Sequence, residues 1–108
     1  MTKMARETKA EICQGLTDEE RQTAKRIGNN TYRYIDRYGN TVVRFHHTNI
    51  VVIYSNGEKV LSHGGWATIT TKNRINDQIS PYVIYQKDFI WYLKGEGMTR
   101  KFFNGIKI

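Results

Sequence analysis

Little in this sequence permits cross-linking, membrane insertion or a flexible tether. One cysteine, Cys13, stands among 108 residues, so an internal disulfide is excluded and a reducing, cytoplasmic setting is expected. There is one proline and no repeat or low-complexity tract, so no segment reads as a linker. The longest apolar run, Ile50-Val51-Val52-Ile53-Tyr54, has the length of a strand and falls far short of the roughly 20 residues of a membrane helix. The N-terminus alternates charge signs without an apolar segment, which argues against a secretory signal. Paired carboxylates, a phosphate-binding glycine loop and a cysteine or serine triad are all missing, so no enzyme class is indicated. The three histidines and Cys13 form no close-spaced ligand set, so neither a metal nor a cofactor is expected.

Carboxylates are also scarce. Ten Asp/Glu face seventeen Lys/Arg, for a net charge of +7. Residues 1–27 hold six cations and five acids, and residues 28–108 hold eleven and five. The surplus therefore belongs to the larger, C-terminal part, and an anionic partner suits it.

The chain divides at a change of period. Residues 1–28 read as a helical arm and residues 29–108 as a β-rich ligand-binding domain. Thr17-Asp18-Glu19-Glu20 has the form of a capping box, and the spacing predicts a helix over 18–27 with Gly28 as a left-handed cap. Strands are expected over 31–36, 41–47, 48–54 and 58–61, with Asn56-Gly57 as a hairpin turn. Residues 66–70 read as a short strand, and Thr71 as the cap of a helix running to about Ile79, which Ser80-Pro81 ends. Strands over 82–85, 89–93 and 100–103 follow. The expected fold class is α+β: an antiparallel meander with one short inserted helix and an N-terminal helical arm.

Chemistry concentrates at Gly64-Gly65-Trp66 and the residues that follow. Trp66, Thr68 and Thr70 alternate, so a strand would put them on one face. Thr71, Lys72, Arg74 and Asn76 come next. An aromatic plate, hydroxyls, cations and an amide suit a flat phosphorylated ligand, held at a helix end. Arg44, His46 and Thr48 would share a strand face beside it, with His47 opposite. One histidine is expected in a structural hydrogen bond and the other at a polar pocket. Farther on, Tyr82, Tyr85, Phe89, Trp91, Tyr92, Phe102 and Phe103 alternate with lysines and an arginine. Such a pattern suits either a small core or single-stranded nucleic acid.

Three blocks together resemble a family of small bacteriophage proteins. They are Arg44 to Val51, Asn56-Gly57, and Gly64-Gly65-Trp66 with Thr68, Thr70-Thr71-Lys72 and Arg74-Ile75-Asn76. Trp91-Tyr92 and Phe103-Asn104-Gly105 extend the match over residues 30–108. The pattern is also similar to the Thoeris anti-defence sponges. That resemblance implies an oligomeric protein of the host bacterial cytoplasm that sequesters a cyclic nucleotide signal without cleaving it. Cyclic ADP-ribose isomers and cyclic oligonucleotides are the implied ligands. It assigns Trp66 and Asn76 to the nucleotide pocket, with Arg44 and Arg74 completing it. Arg44, His46, Trp66, Thr68, Thr71, Lys72, Arg74 and Asn76 are thus the expected ligand-binding residues. A nucleic-acid-binding or protein-blocking inhibitor, such as an anti-CRISPR, is the alternative.

Overall fold

A computed structural model describes residues 7–108. It is mostly antiparallel sheet with three short helices. The first sheet has the order β1-β2-β3-β4-β5-β9. Its strands are β1 (Lys25–Gly28), β2 (Thr31–Ile35), β3 (Thr41–Phe45), β4 (Thr48–Ile53), β5 (Lys59–Leu61) and β9 (Ile106–Lys107). The second sheet is a meander of β6 (Val83–Lys87), β7 (Ile90–Gly95) and β8 (Met98–Lys101). Helices α1 (Lys9–Ile12) and α2 (Asp18–Thr23) precede β1, and α3 (Ile69–Asn76) links the two sheets. The expected meander over residues 31–61 is present as β2 to β5, but β6 to β8 form a sheet of their own.

Alternation along β3 and β4 explains the layering. Val43, Val51, Leu61 and Ile106 are in register across four strands. They pack with Ile75, Ile79, Ile84, Trp91 and Leu93 from α3, its C-terminal extension and the second sheet. Val42 and Val52 pair beside them and turn to the opposite face. There they meet Ile12, Cys13, Leu16, Ala24, Tyr32 and Tyr34. The central sheet is therefore covered on both faces, and both Ile50 and Val51 are fully buried. Burial pushes the Cys13 thiol up, which suits packing rather than nucleophilic work.

The N-terminal segment departs from the expected long helix. α2 ends at Thr23, and Ala24 is extended. The Thr23 hydroxyl donates to the Glu20 carbonyl and accepts from the Ile35 amide, which turns the chain alongside β2. Residues 25–28 then pair with 31–33 as β1, so Gly28 is not a left-handed cap. It lies under Arg74 instead: a Cβ there would sit 3.1 Å from the guanidinium carbon. For the same segment, the part of the helical expectation that falls on residues 1–6 lies outside the described residues.

Glu20 fastens α2 to the β2–β3 turn. The Thr17 capping box forms as expected. The Glu20 carboxylate also accepts the Arg37 amide at 2.9 Å and its guanidinium at 3.3 Å. Burial pushes this carboxyl up, but the bonds from Thr17 and Arg37 outweigh it and hold the pKa at about 2, below the ordinary 4.5. A folded-state pKa that is depressed stabilises above the unfolded value and is lost as pH falls toward the folded one. Acid titration followed by circular dichroism should therefore show stability declining between pH 4.5 and about 2. Glu20→Gln should flatten that decline and cost about 1–3 kcal/mol at neutral pH.

Candidate functional site

A cavity of about 540 Å³ opens where the first sheet meets the loop before α3. Its lining comes from Glu7, from residues 45–48 and Ile50, from His63, and from Trp66, Thr68, Thr70 and Thr71. Local backbone chemistry builds each wall.

The β3–β4 wall depends on a tight turn and a bulge. Phe45 pairs directly with Thr48, leaving His46-His47 as a two-residue loop. This corrects the expected strand to His47 and the shared strand face of Arg44, His46 and Thr48. His46 takes φ 52, and its amide donates to the Asn30 carbonyl at 2.8 Å. Asn30 itself takes φ 52, a conformation asparagine tolerates, and its side chain accepts the Glu7 amide at 2.9 Å. One turn residue thus positions both Glu7 and His46. The Glu7 carboxylate contacts His46 Nδ1 and reaches His47 Nε2 at 3.0 Å. Past the turn, Arg44 pairs with Asn49 while Val43 pairs with Val51. Ile50 is the extra residue of this bulge and lines the cavity.

The opposite wall follows β5. Asn104 accepts the His63 amide at 2.8 Å and the Ser62 hydroxyl at 3.1 Å, which fixes the start of the loop. His63 Nδ1 accepts the Gly65 amide at 2.9 Å, so in this arrangement Nε2 carries the proton. Trp91 and Phe102 flank the ring, with centroids at 5.2 and 5.5 Å. Gly64 takes φ +59, and a Cβ there would fall 2.5 Å from Thr48 Cγ2. Only glycine lets the loop lie this close to β4.

The expected strand over 66–70 does not form. Residues 66–68 are irregular, and α3 begins at Ile69 with Thr68 as its cap. The run Ile69-Thr70-Thr71 is β-branched and reads as strand by propensity. Capping decides otherwise: Thr68 Oγ1 accepts the Thr71 amide at 3.1 Å, and the two hydroxyls are 2.9 Å apart. Thr71 is buried inside the first turn rather than capping it. The Thr68 carbonyl accepts the Lys72 amide, so the amides of Ile69 and Thr70 remain as first-turn donors. The loop and cap that lead into α3 still gather Trp66, Thr68 and Thr70 at the cavity, with Trp66 67% exposed.

The structure therefore brings together His46, Trp66, Thr68 and Thr71 and leaves four predicted residues outside the lining. Arg44 donates to the Ile12 carbonyl at 2.7 Å and to Asn49 at 3.0 Å, tying α1 to the sheet. Arg74 lies over Gly28. Lys72 is half-buried on α3. Asn76 uses its amide as a strand would, accepting the Ile84 amide at 2.7 Å and donating to the Ile84 carbonyl at 2.9 Å. Thr70, Thr48 and His47, read in the sequence as neighbours of the expected site, line the cavity as well, and Glu7, Phe45, Ile50 and His63 line it unforeseen. Glu7 is the single carboxylate of the lining among the described residues, and both histidines of the turn face it. Among those residues no group of three or more His, Cys, Asp or Glu is arranged to hold a metal.

The family model described as Kyanoviridae Gp96 protein matches residues 4–108. The chain belongs to this family of small bacteriophage proteins. No curated protein and no solved structure matches it. No helix of the described residues is long and apolar enough to cross a membrane.

Two substitutions separate scaffold from cavity in this Gp96-family chain. Gly64→Ala should destabilise by about 1–3 kcal/mol, through φ strain and overpacking on Thr48. Asn76→Ala should cost a similar amount by leaving the Ile84 backbone unpaired. Thermal melts measure both losses, and Asn76→Ala should leave the environment of Trp66, read by its fluorescence, unchanged.

Proposed function

We propose that this phage protein binds a cyclic nucleotide immune signal in the Trp66 cavity and holds it intact. The observation that supports this most is an exposed tryptophan at a cavity of about 540 Å³ lined by hydroxyls and imidazoles. That volume lies in the range of small-molecule sites, about 300–1,000 Å³. Trp66 and Phe45 offer apolar faces to a base. Thr48, Thr68 and Thr70 offer hydroxyls to ribose. His47, His63 and the first-turn amides of α3 offer donors to phosphate.

The turn His46-His47 already holds one anion, the chain's own Glu7 carboxylate. A ligand phosphate takes the same donors in competition with it. Membership of a phage family and the resemblance to Thoeris anti-defence sponges agree with a counter-defence role in the host cytoplasm. Sequestration asks for stacking, hydroxyls and anion donors. It asks for no nucleophile, and in this reading the protein is not an enzyme. Arg44, Arg74 and Asn76 then act on the scaffold rather than on the ligand.

Calorimetry with cyclic ADP-ribose isomers and cyclic di- and trinucleotides tests the proposal. Saturable binding of one of them is expected, and binding of none contradicts it. The ligand recovered after denaturing the complex should be chemically intact; a hydrolysed product would replace storage with phosphodiesterase activity. Trp66→Ala should weaken binding by about 1–3 kcal/mol. Glu7→Gln should tighten it, because it removes the carboxylate competing for the histidine pair.

A further inference from the structure

The second sheet carries a surface that the cavity does not use. Its register divides the aromatic residues of the C-terminal region into two groups. Ile84, Trp91 and Leu93 point inward and join the main core. Tyr85 pairs with Tyr92, and Tyr92 pairs with Lys101, so these three share the outer face. Val83, Lys94 and Thr99 form the neighbouring row, with Lys87 opposite Ile90 beyond. The Tyr85 and Tyr92 rings stack at 5.6 Å with planes 24° apart, and neither belongs to a core cluster.

Charge on this face has one sign. The sequences of β6, β7 and β8 contain no carboxylate; Asp88 and Glu96 are confined to the connecting turns. Among the described residues, no ion pair engages Lys87, Lys94 or Lys101. The β6–β7 turn holds Asp88 and Phe89 at φ 51 and 66, and Phe89 is 94% exposed. Lys87 pairs with Ile90, so Asp88-Phe89 is a two-residue hairpin loop whose positive φ values the turn requires; its exposed ring extends the aromatic surface beyond the strands.

We infer that the outer face of the second sheet binds single-stranded nucleic acid. Tyr85, Tyr92 and Phe89 stack bases, and Lys87, Lys94 and Lys101 neutralise the backbone. Aromatic rings on an open sheet accept any base, because every base has a π-face. Three strands span roughly 10 Å, room for two or three nucleotides, so the contact is short and tolerant of sequence. Duplex DNA keeps its bases stacked inside and offers these rings nothing. This site is independent of the cavity, and either can fail without the other.

Fluorescence anisotropy with labelled 12-nucleotide oligo-dT and oligo-U, against a duplex of equal length, tests the inference. Three neutralised phosphates give a log–log salt slope of about −2, or a roughly 20-fold loss of affinity from 50 to 200 mM salt. Tyr85→Ala with Tyr92→Ala should weaken binding at least tenfold at either salt and leave that slope in place. The phenylalanine pair, Y85F with Y92F, should keep binding. Lys87, Lys94 and Lys101 replaced together by glutamine should flatten the slope. Trp66→Ala should change nothing here, which separates this site from the nucleotide cavity. Equal affinity for duplex, a slope the lysine variant does not move, or capture of anionic phosphatidylserine vesicles with no oligonucleotide binding would each overturn it.

Discussion

The structure depends on one constraint: strands β3 and β4 are apolar on both faces, so both faces must be covered. Val42 and Val43 are sequence neighbours that belong to different cores. One core needs Ile12 of α1, Leu16 and Ala24 on either side of α2, and the tyrosines of β2; the other needs α3 and the second sheet. Fully burying one such side chain contributes about 1.5–3 kcal/mol, and strand pleating couples the two layers through the same backbone. The N-terminal helices are therefore packed elements of the sheet, held by Ile12 and Leu16 and tied by Arg44 and Glu20.

The cavity lies where this arrangement ends. Beyond the bulge, β4 leads back to the histidine turn, and its pairing with β5 gives way to the loop carrying Gly64. The inner layer cannot close over that gap, because Ile50 is the last apolar residue on the β4 side. Hydroxyls, imidazoles and Trp66 complete the rim. A polar rim on an apolar floor orients a ligand with a flat part and a hydrogen-bonding part. The strongest cations of the expected site are spent on architecture. Arg44 holds backbone carbonyls of the N-terminal segment, and Arg74 covers Gly28.

Much of this was legible in the sequence. The Thr17 capping box and the meander over residues 31–61 follow from local patterns with one dominant solution. Trp66, Thr68 and Thr70 do converge, though a helix cap groups them and not a strand face. Long-range pairing decided the rest. Residues 25–28 follow a capped helix and suit its last turn, yet the exposed edge of β2 takes them as a strand. Asn76 resembles a ligand contact by type, and only the return of β6 reveals its backbone partner. Glu7 and His63 are far apart in the chain, so no spacing rule joins them. Asn30 and Asn104, which place them, look like ordinary turn residues until their partners are known.

Trp66 stands exposed at the cavity proposed to hold a nucleotide, while the chain's other tryptophan, Trp91, is buried in the core. The two indole N–H groups give separate signals in a nitrogen-15 correlation spectrum, so one titration distinguishes them. On addition of cyclic nucleotides, the Trp66 signal should move saturably and by more than that of Trp91. A Trp66 signal that stays in place with every cyclic nucleotide up to millimolar concentration would contradict the account.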